Sequence, residues 1–428
     1  MMRFLKSMIA AALAIAAAVG VIHAQIRLPL SLPSVPLPPV AQSLDAAQSG
    51  TLDAAREWRH RQIARLLREN ARLIETDPNG EPILRSEIIA AMMDDEALAR
   101  ALERGFVLAR ESLVGDIHLR VLKAPAGLAT RNALQDLRAA DARGVYDYNH
   151  IYLGVGVNAP DPSASAALPA SRSAQPESSA AESPSAAAQS PPGARVRVGL
   201  LDTGVDATHP VFHESLIHSW GCGAAQVPAS HGTAVASLLI SRGATELFAA
   251  DVYCGSPAGG AVDAIVTALG WLSAQQVAVI NVSLVGPKNA LLERVVATLV
   301  ARGHLIVAAV GNDGPAAPPL YPAAYPGVVG VTAVDAHRHV LIEAERGPQV
   351  MFAAEGADLK AASVDHRYAA VRGTSFAAPT VAALLADSFP ALDREAALAA
   401  IDALARSAMH TGSGGRDLTY GYGIVGKH

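Results

Sequence analysis

The stretch "VRVGLLDTGVDATHP", Val196–Pro210, sets the reading of the chain. Its first six residues are apolar and rich in β-formers, and they stop abruptly at Asp202 and a glycine-containing turn, as a buried strand does where it reaches a sheet edge. The segments downstream repeat the pattern. A helix is expected at "GTAVASLLI" (Gly232–Ile240), a strand at "LFAADVY" (Leu247–Tyr253) and a helix at "AVDAIVTALGWLSAQ" (Ala261–Gln275). A strand at "VAVINVSL" (Val277–Leu284), a helix at "NALLERVVATLVARG" (Asn289–Gly303) and a strand at "LIVAAV" (Leu305–Val310) follow. Alternating β and α segments with apolar strands predict an α/β fold, a mostly parallel sheet with helices on both faces. In such sheets the chemistry gathers at the carboxyl ends of the strands.

Three polar side chains fall at such places: Asp202 after the first strand, His231 opening the helix in "SHGTAVASLL", and Ser375 opening another in "RGTSFAAPTVAALLA" (Arg372–Ala386). Each has an ordinary explanation on its own, as a turn residue, a polar helix start and a helix cap. Together they supply what a serine nucleophile needs. A histidine accepts the hydroxyl proton, and a carboxylate fixes the imidazole tautomer. Asn312, after Gly311 at the end of the strand Leu305–Val310, adds an amide donor for the negative charge that develops on a carbonyl oxygen during acyl transfer. The N-terminus of the helix at Ser375 offers a backbone N–H and a favourable dipole to the same oxygen.

These segments resemble the subtilisin-like serine proteases. "DTGVDATHP", "HGTAVA", "INVSL", "GNDG" and "GTSFAAP" occur in that family's order, and "LTYGYGIV" (Leu418–Val425) is similar to its usual ending. The resemblance implies that Asp202 orients the base, His231 is general base and then acid, Ser375 attacks, and Asn312 helps to hold the oxyanion. It further implies that Ser283, Leu284, Val285 and Gly286, in "NVSLVGP", line an extended peptide substrate, and that Gly311 also contacts it. Val285 stands where the family usually has glycine, which would crowd one substrate pocket and narrow specificity, and Leu320 stands where it usually has a small residue, which predicts a shallow main pocket favouring small side chains. Ala234 replaces a frequent second histidine, and "SLLISRGATELFAADVY" (Ser237–Tyr253) is too short for the family's high-affinity calcium loop, so no metal or other cofactor is expected.

Composition agrees with a folded, exported enzyme. Of 428 residues, 51% are hydrophobic and 17% charged, and the net charge of −5 comes with no long basic run beside aromatics, which argues against nucleic acid as a partner. Residues 1–24 read as a secretory signal, with Arg3 and Lys6 ahead of a short apolar run. An N-terminal anchor is the alternative, and no later segment has the length of an integral membrane domain. Export to the periplasm or beyond would let the two cysteines, Cys222 and Cys254, form a disulfide, and two free buried thiols would fit the sequence equally well.

Residues 25–52 form a proline-rich spacer, and 156–195 an Ala/Ser/Pro-rich linker with too few large apolar side chains to fold. Between them, residues 53–155 hold a helix expected over Asp53–Glu75 and a strand–helix–strand pattern. The six arginines of that helix are read as a solvated face. The small α+β module resembles the family's propeptide, which implies a zymogen whose own propeptide inhibits the peptidase domain at 196–428 and is cut near "YDYNHIYLGVG" or in the linker. Protein or peptide substrates follow from the same resemblance. A catalytically weak, protease-like peptide-binding or scaffold protein is the alternative function, with labelling of Ser375 by a fluorophosphonate as the discriminating observation.

Overall fold

The structure is a computed structural model and describes residues 59, 61–154, 195–224, 227–389, 391–411 and 415–426. The expected signal and proline-rich spacer, and all of the expected linker but Arg195, lie outside these residues. The module comprises β1 (Ile74–Thr76), β2 (Pro82–Ala91), α1 (Asp95–Glu103), β3 (Val107–Val114), β4 (Ile117–Lys123), α2 (Thr130–Ala140) and β5 (Val145–Gly154). The peptidase region comprises β6 (Arg197–Asp202), β7 (Leu216–Trp220), α3 (Ser230–Ser241), β8 (Glu246–Asp251), β9 (Gly260–Ala261), α4 (Val262–Ala274), β10 (Val279–Val282), β11 (Leu284–Val285) and α5 (Ala290–Ala301). It continues through β12 (Leu305–Ala309), β13 (Val329–Val334), β14 (Val350–Glu355), β15 (Leu359–Ser363), β16 (Arg367–Val371), α6 (Thr374–Ser388) and α7 (Arg394–Ser407).

The central sheet runs β14-β13-β12-β10-β6-β8-β7, and every pairing in it is parallel. Its strands are buried along nearly their whole length, which is why they read as continuous apolar runs rather than alternating ones. One face packs on α3 and α6 through residues such as Leu200, Val235, Phe352 and Phe376. The other packs on α4 and α5 through Ile265, Leu269, Val295 and Ile306.

The module has its own small core, in which Leu122 meets Leu134 and Leu137 of α2, while the opposite face of its sheet, with Ile89 and Val121, joins the core of α4 and α5. Polar contacts fix this seat. Asp147 Oδ2 accepts the N–H of Ala290 at 2.7 Å, and Asn149 Oδ1 that of Asp263 at 3.2 Å, so the module supplies acceptors to the open N-termini of both helices.

Two local expectations change. The helix expected to reach Glu75 is helical over 61–69, and Ile74–Thr76 pairs with β2 instead, because the carbonyl of Asn70 takes the N–H groups of Leu73 and Ile74 and turns the chain. Its arginines are not all solvated either: Arg65 is open to solvent, whereas Arg59 is 14% exposed and bridges Glu81 and Asp313. The strand expected over Val277–Leu284 divides at Ser283, with β10 in the parallel sheet and β11 in the module's sheet, where it pairs with β5.

Candidate active site

Asp202 ends β6 at the carboxyl edge of the central sheet, fully buried. Its Oδ1 accepts the Thr203 N–H at 2.7 Å and faces His231 Nδ1 at 2.7 Å. A carboxylate only accepts, so Nδ1 carries the hydrogen and Nε2 becomes the basic nitrogen. His231 is placed by the first turn of α3, which is tied to the same loop by the Gly232 N–H donating to Thr203 Oγ1 at 2.8 Å. The imidazole is 11% exposed, with its ring centroid 5.3 Å from that of Phe376, the residue after Ser375.

Ser375 sits in the first turn of α6, itself fully buried, and its hydroxyl donates to the Ser283 carbonyl at 3.2 Å. Pro379 lies four residues further along the same helix and has no N–H to give the Ser375 carbonyl. Ser283 Oγ donates to that carbonyl at 3.1 Å and takes over the missing bond. Ser283 is held in turn by Asn281 Nδ2 at 2.9 Å. Asn312 Oδ1 accepts the Thr374 N–H at 3.2 Å, which leaves its Nδ2 hydrogens as donors for another partner, and Thr374 Oγ1 accepts the Gly311 N–H at 3.3 Å. Thr374, which the sequence reading passed over, therefore couples the serine helix to the oxyanion loop; its position beside the serine was the available signal.

The groove leading to Ser375 is filled. The end of β5 runs antiparallel between two peptidase strands, with Gly154 and Leu153 opposite Leu284 and Val285 of β11, and Tyr152 and Ile151 opposite Gly260 and Ala261 of β9. A side-chain carbon on Gly154 would stand 3.6 Å from His231 Cε1, so the strand ends against the His231 imidazole. Tyr152 is almost wholly buried, bounds one apolar cavity with Ile265, Leu269, Leu292 and Val296, and donates its hydroxyl to the Pro287 carbonyl at 2.5 Å. Burial holds its phenol well above the ordinary tyrosine range. Of the expected substrate-lining residues, Leu284 and Val285 pair with this strand and Ser283 precedes them, its carbonyl on Ser375; Gly286 pairs with Tyr321, and Val285 packs on Leu320. β9 was not anticipated, since two residues carry no periodicity to read.

Below the triad, Asp251 ends β8 next to Asp202. Burial, with the neighbouring Asp202 charge, lifts its carboxyl above the ordinary range against the N–H groups of Tyr253 and Cys254. Cys222 and Cys254 are joined in a disulfide across this loop, with their Cα atoms 5.1 Å apart. Among the described residues, the one Cys/His/Asp/Glu group close enough to hold a metal is Cys222, Asp251 and Cys254, and the disulfide takes up both of its sulfurs.

A buried Asp–His pair at the edge of a parallel sheet, a serine on a helix start and an asparagine amide beside it define the class: a subtilisin-like serine endopeptidase. The sequence profile of the subtilase family matches residues 193–423, more than half of the chain, and the chain belongs to that family. It is similar to Subtilisin DY of Bacillus licheniformis, 31% identical over 47% of this chain and 80% of that protein. It is also similar to Minor extracellular protease Epr of Bacillus subtilis, 27% identical over 54% of this chain and 38% of that protein. The fold is shared with fervidolysin of Fervidobacterium pennivorans, described as a keratinolytic enzyme related to subtilisin. That superposition has a TM-score of 0.63 at 18% identity and covers 82% of this chain and 61% of the other. A share that large extends the common fold beyond the peptidase region into the N-terminal module. Among the described residues no helix is long and apolar enough to cross a membrane.

Proposed function

We propose that the protein is an exported serine endopeptidase made as a zymogen, in which the module at 61–154 is an inhibitory propeptide. The observation that carries this reading is the course of β5, which lies in the groove as a substrate would and ends at His231. Main-chain pairing of an added strand gives affinity without regard to sequence, and the pockets under alternate side chains give selection. Tyr152 fills one of these almost wholly buried, so an aromatic side chain with a hydroxyl at the corresponding place in a substrate matches the site best.

The chemistry follows from the groups in place. Ser375 Oγ attacks the scissile carbonyl while His231 Nε2 takes its proton, and Asp202 stabilises the imidazolium that forms. The carbonyl oxygen gains the charge and meets Asn312 Nδ2 and the N-terminus of α6. His231 returns the proton to the leaving amine, and water, activated by the same imidazole, releases the acyl group from Ser375.

Expression of the full chain tests the reading. The unaltered protein should process itself to a peptidase lacking the module, and Ser375→Ala should accumulate at full length. A purified Ser375→Ala protein that still matures would refute self-processing.

A further inference from the structure

The loop that carries Asn312 also carries a pair of carboxyl groups that the triad chemistry leaves unused. Asp313 follows the oxyanion residue directly and is 9% exposed. Glu345 is fully buried beneath the loop; its Oε2 accepts the Leu320 N–H at 3.3 Å, and its Oε1 has no hydrogen-bond partner. That oxygen faces the place where Gly311 lacks a side chain, since a Cβ on Gly311 would collide with it. Burial and the nearby Asp313 hold the Glu345 carboxyl well above its ordinary range, and a nearby cation acts the other way: Arg59, from the segment before the module, sets its Nη1 2.8 Å from Asp313 Oδ2. The intact chain thus already holds a guanidinium, shared with Glu81, against Asp313.

We infer that Asp313 and Glu345 form a specificity site that takes the cationic side chain of a lysine or arginine at the residue immediately before the scissile bond. Arg59 stands in for it until the N-terminal region leaves. This rests on the endopeptidase reading. A substrate in the register of β5 would place the residue after its Gly154 equivalent opposite Ser283, whose carbonyl Ser375 touches, so that residue would carry the scissile carbonyl next to Val285 and Leu320, whose N–H Glu345 accepts. Val285 and Leu320 offer an apolar wall for a lysine stem, and the two carboxyls receive its end. Leu320 taken alone predicts the opposite, a preference for small side chains.

The matured protein is assayed on fluorogenic peptides Ile-Tyr-Leu-Gly-X, with X lysine, arginine, norleucine or alanine, alongside fluorophosphonate labelling. The inference predicts kcat/KM at least about tenfold higher for lysine or arginine than for norleucine, falling with added salt, and a ratio near one in both Asp313→Asn and Glu345→Gln proteins that still label. Glutamine keeps an acceptor for Leu320 N–H, and Asp313→Ser serves if the asparagine variant does not fold. Equal rates for lysine and norleucine, a preference for alanine, or a basic preference that survives both substitutions would overturn the inference while labelling upholds the peptidase reading. A folded, matured protein that does not label overturns both.

Discussion

Tyr152 is an almost wholly buried contact of β5 with the peptidase region, and its removal should open the groove. In a Ser375→Ala background, which should keep the chain whole, Tyr152→Ala deletes an almost wholly buried aromatic side chain packed on Ile265, Leu269 and Leu292. Loss of such a side chain costs about 3–5 kcal/mol. Tyr152→Phe keeps the ring and removes the hydroxyl, which donates to the Pro287 carbonyl and also meets the Tyr325 side chain; loss of the donated bond costs about 1 kcal/mol. At about 1.4 kcal/mol per factor of ten, opening of β5 from the groove becomes two to four orders of magnitude more frequent for alanine and about fivefold more frequent for phenylalanine. Gly286 sharpens the expectation, because a Cβ there would come 2.7 Å from the Tyr152 ring, so Gly286→Ala should also loosen the strand. Hydrogen exchange, followed by mass spectrometry on peptides covering β9 and β11, reads the opening directly, since both strands lose a partner when β5 leaves. Exchange in Tyr152→Ala equal to that of the parent, or a phenylalanine variant as fast as the alanine one, would refute the assignment.

Asn312→Ala should lower kcat by about 10²–10³ with little change in KM, measured by steady-state kinetics on a peptide substrate; the magnitude is the one known for the oxyanion asparagine of subtilisin, a family member, and is carried over from there. Asp77 makes the module acid-sensitive: against the effect of burial, hydrogen bonds from His150 and the N–H groups of Glu81 and Asn79 hold its carboxyl below the ordinary range. A carboxyl depressed in the folded state contributes stability above its unfolded value, near pH 4, and loses it as pH falls further. Asp77→Asn should therefore flatten the decline of the intact chain's melting temperature below about pH 4. Removal of calcium with a chelator should leave the melting temperature of the mature protein unchanged, because the Ser237–Tyr253 segment is too short for the usual loop; a large drop would reveal a site built elsewhere.

Much of this was legible in the sequence because its signals are local. The strands of the central sheet are buried on both faces, so Val198–Leu201, Val279–Val282 and Leu305–Ala309 announce themselves as apolar runs, and Asp202, His231 and Ser375 each lie in a short motif with its own glycine or small neighbours. What escaped depends on partners far apart in the chain. The division of one expected strand at Ser283 follows from β5, over a hundred residues earlier, which recruits Leu284 and Val285 to a second sheet. Arg59 looks like one of several solvent-facing arginines until the fold brings it to Asp313, 254 residues away. Glu345 has no motif at all, and its meaning lies in what Gly311 and Leu320 leave around it.

The central claim is that the buried Asp202–His231 pair activates Ser375 for attack. Reaction of the matured protein with a fluorophosphonate, mapped by peptide mass spectrometry, tests it most directly. The account predicts one label per chain, on Ser375, abolished in Ser375→Ala and slowed by several orders of magnitude in His231→Ala. A folded, matured protein left unlabelled, or labelled as fast without His231, would contradict it.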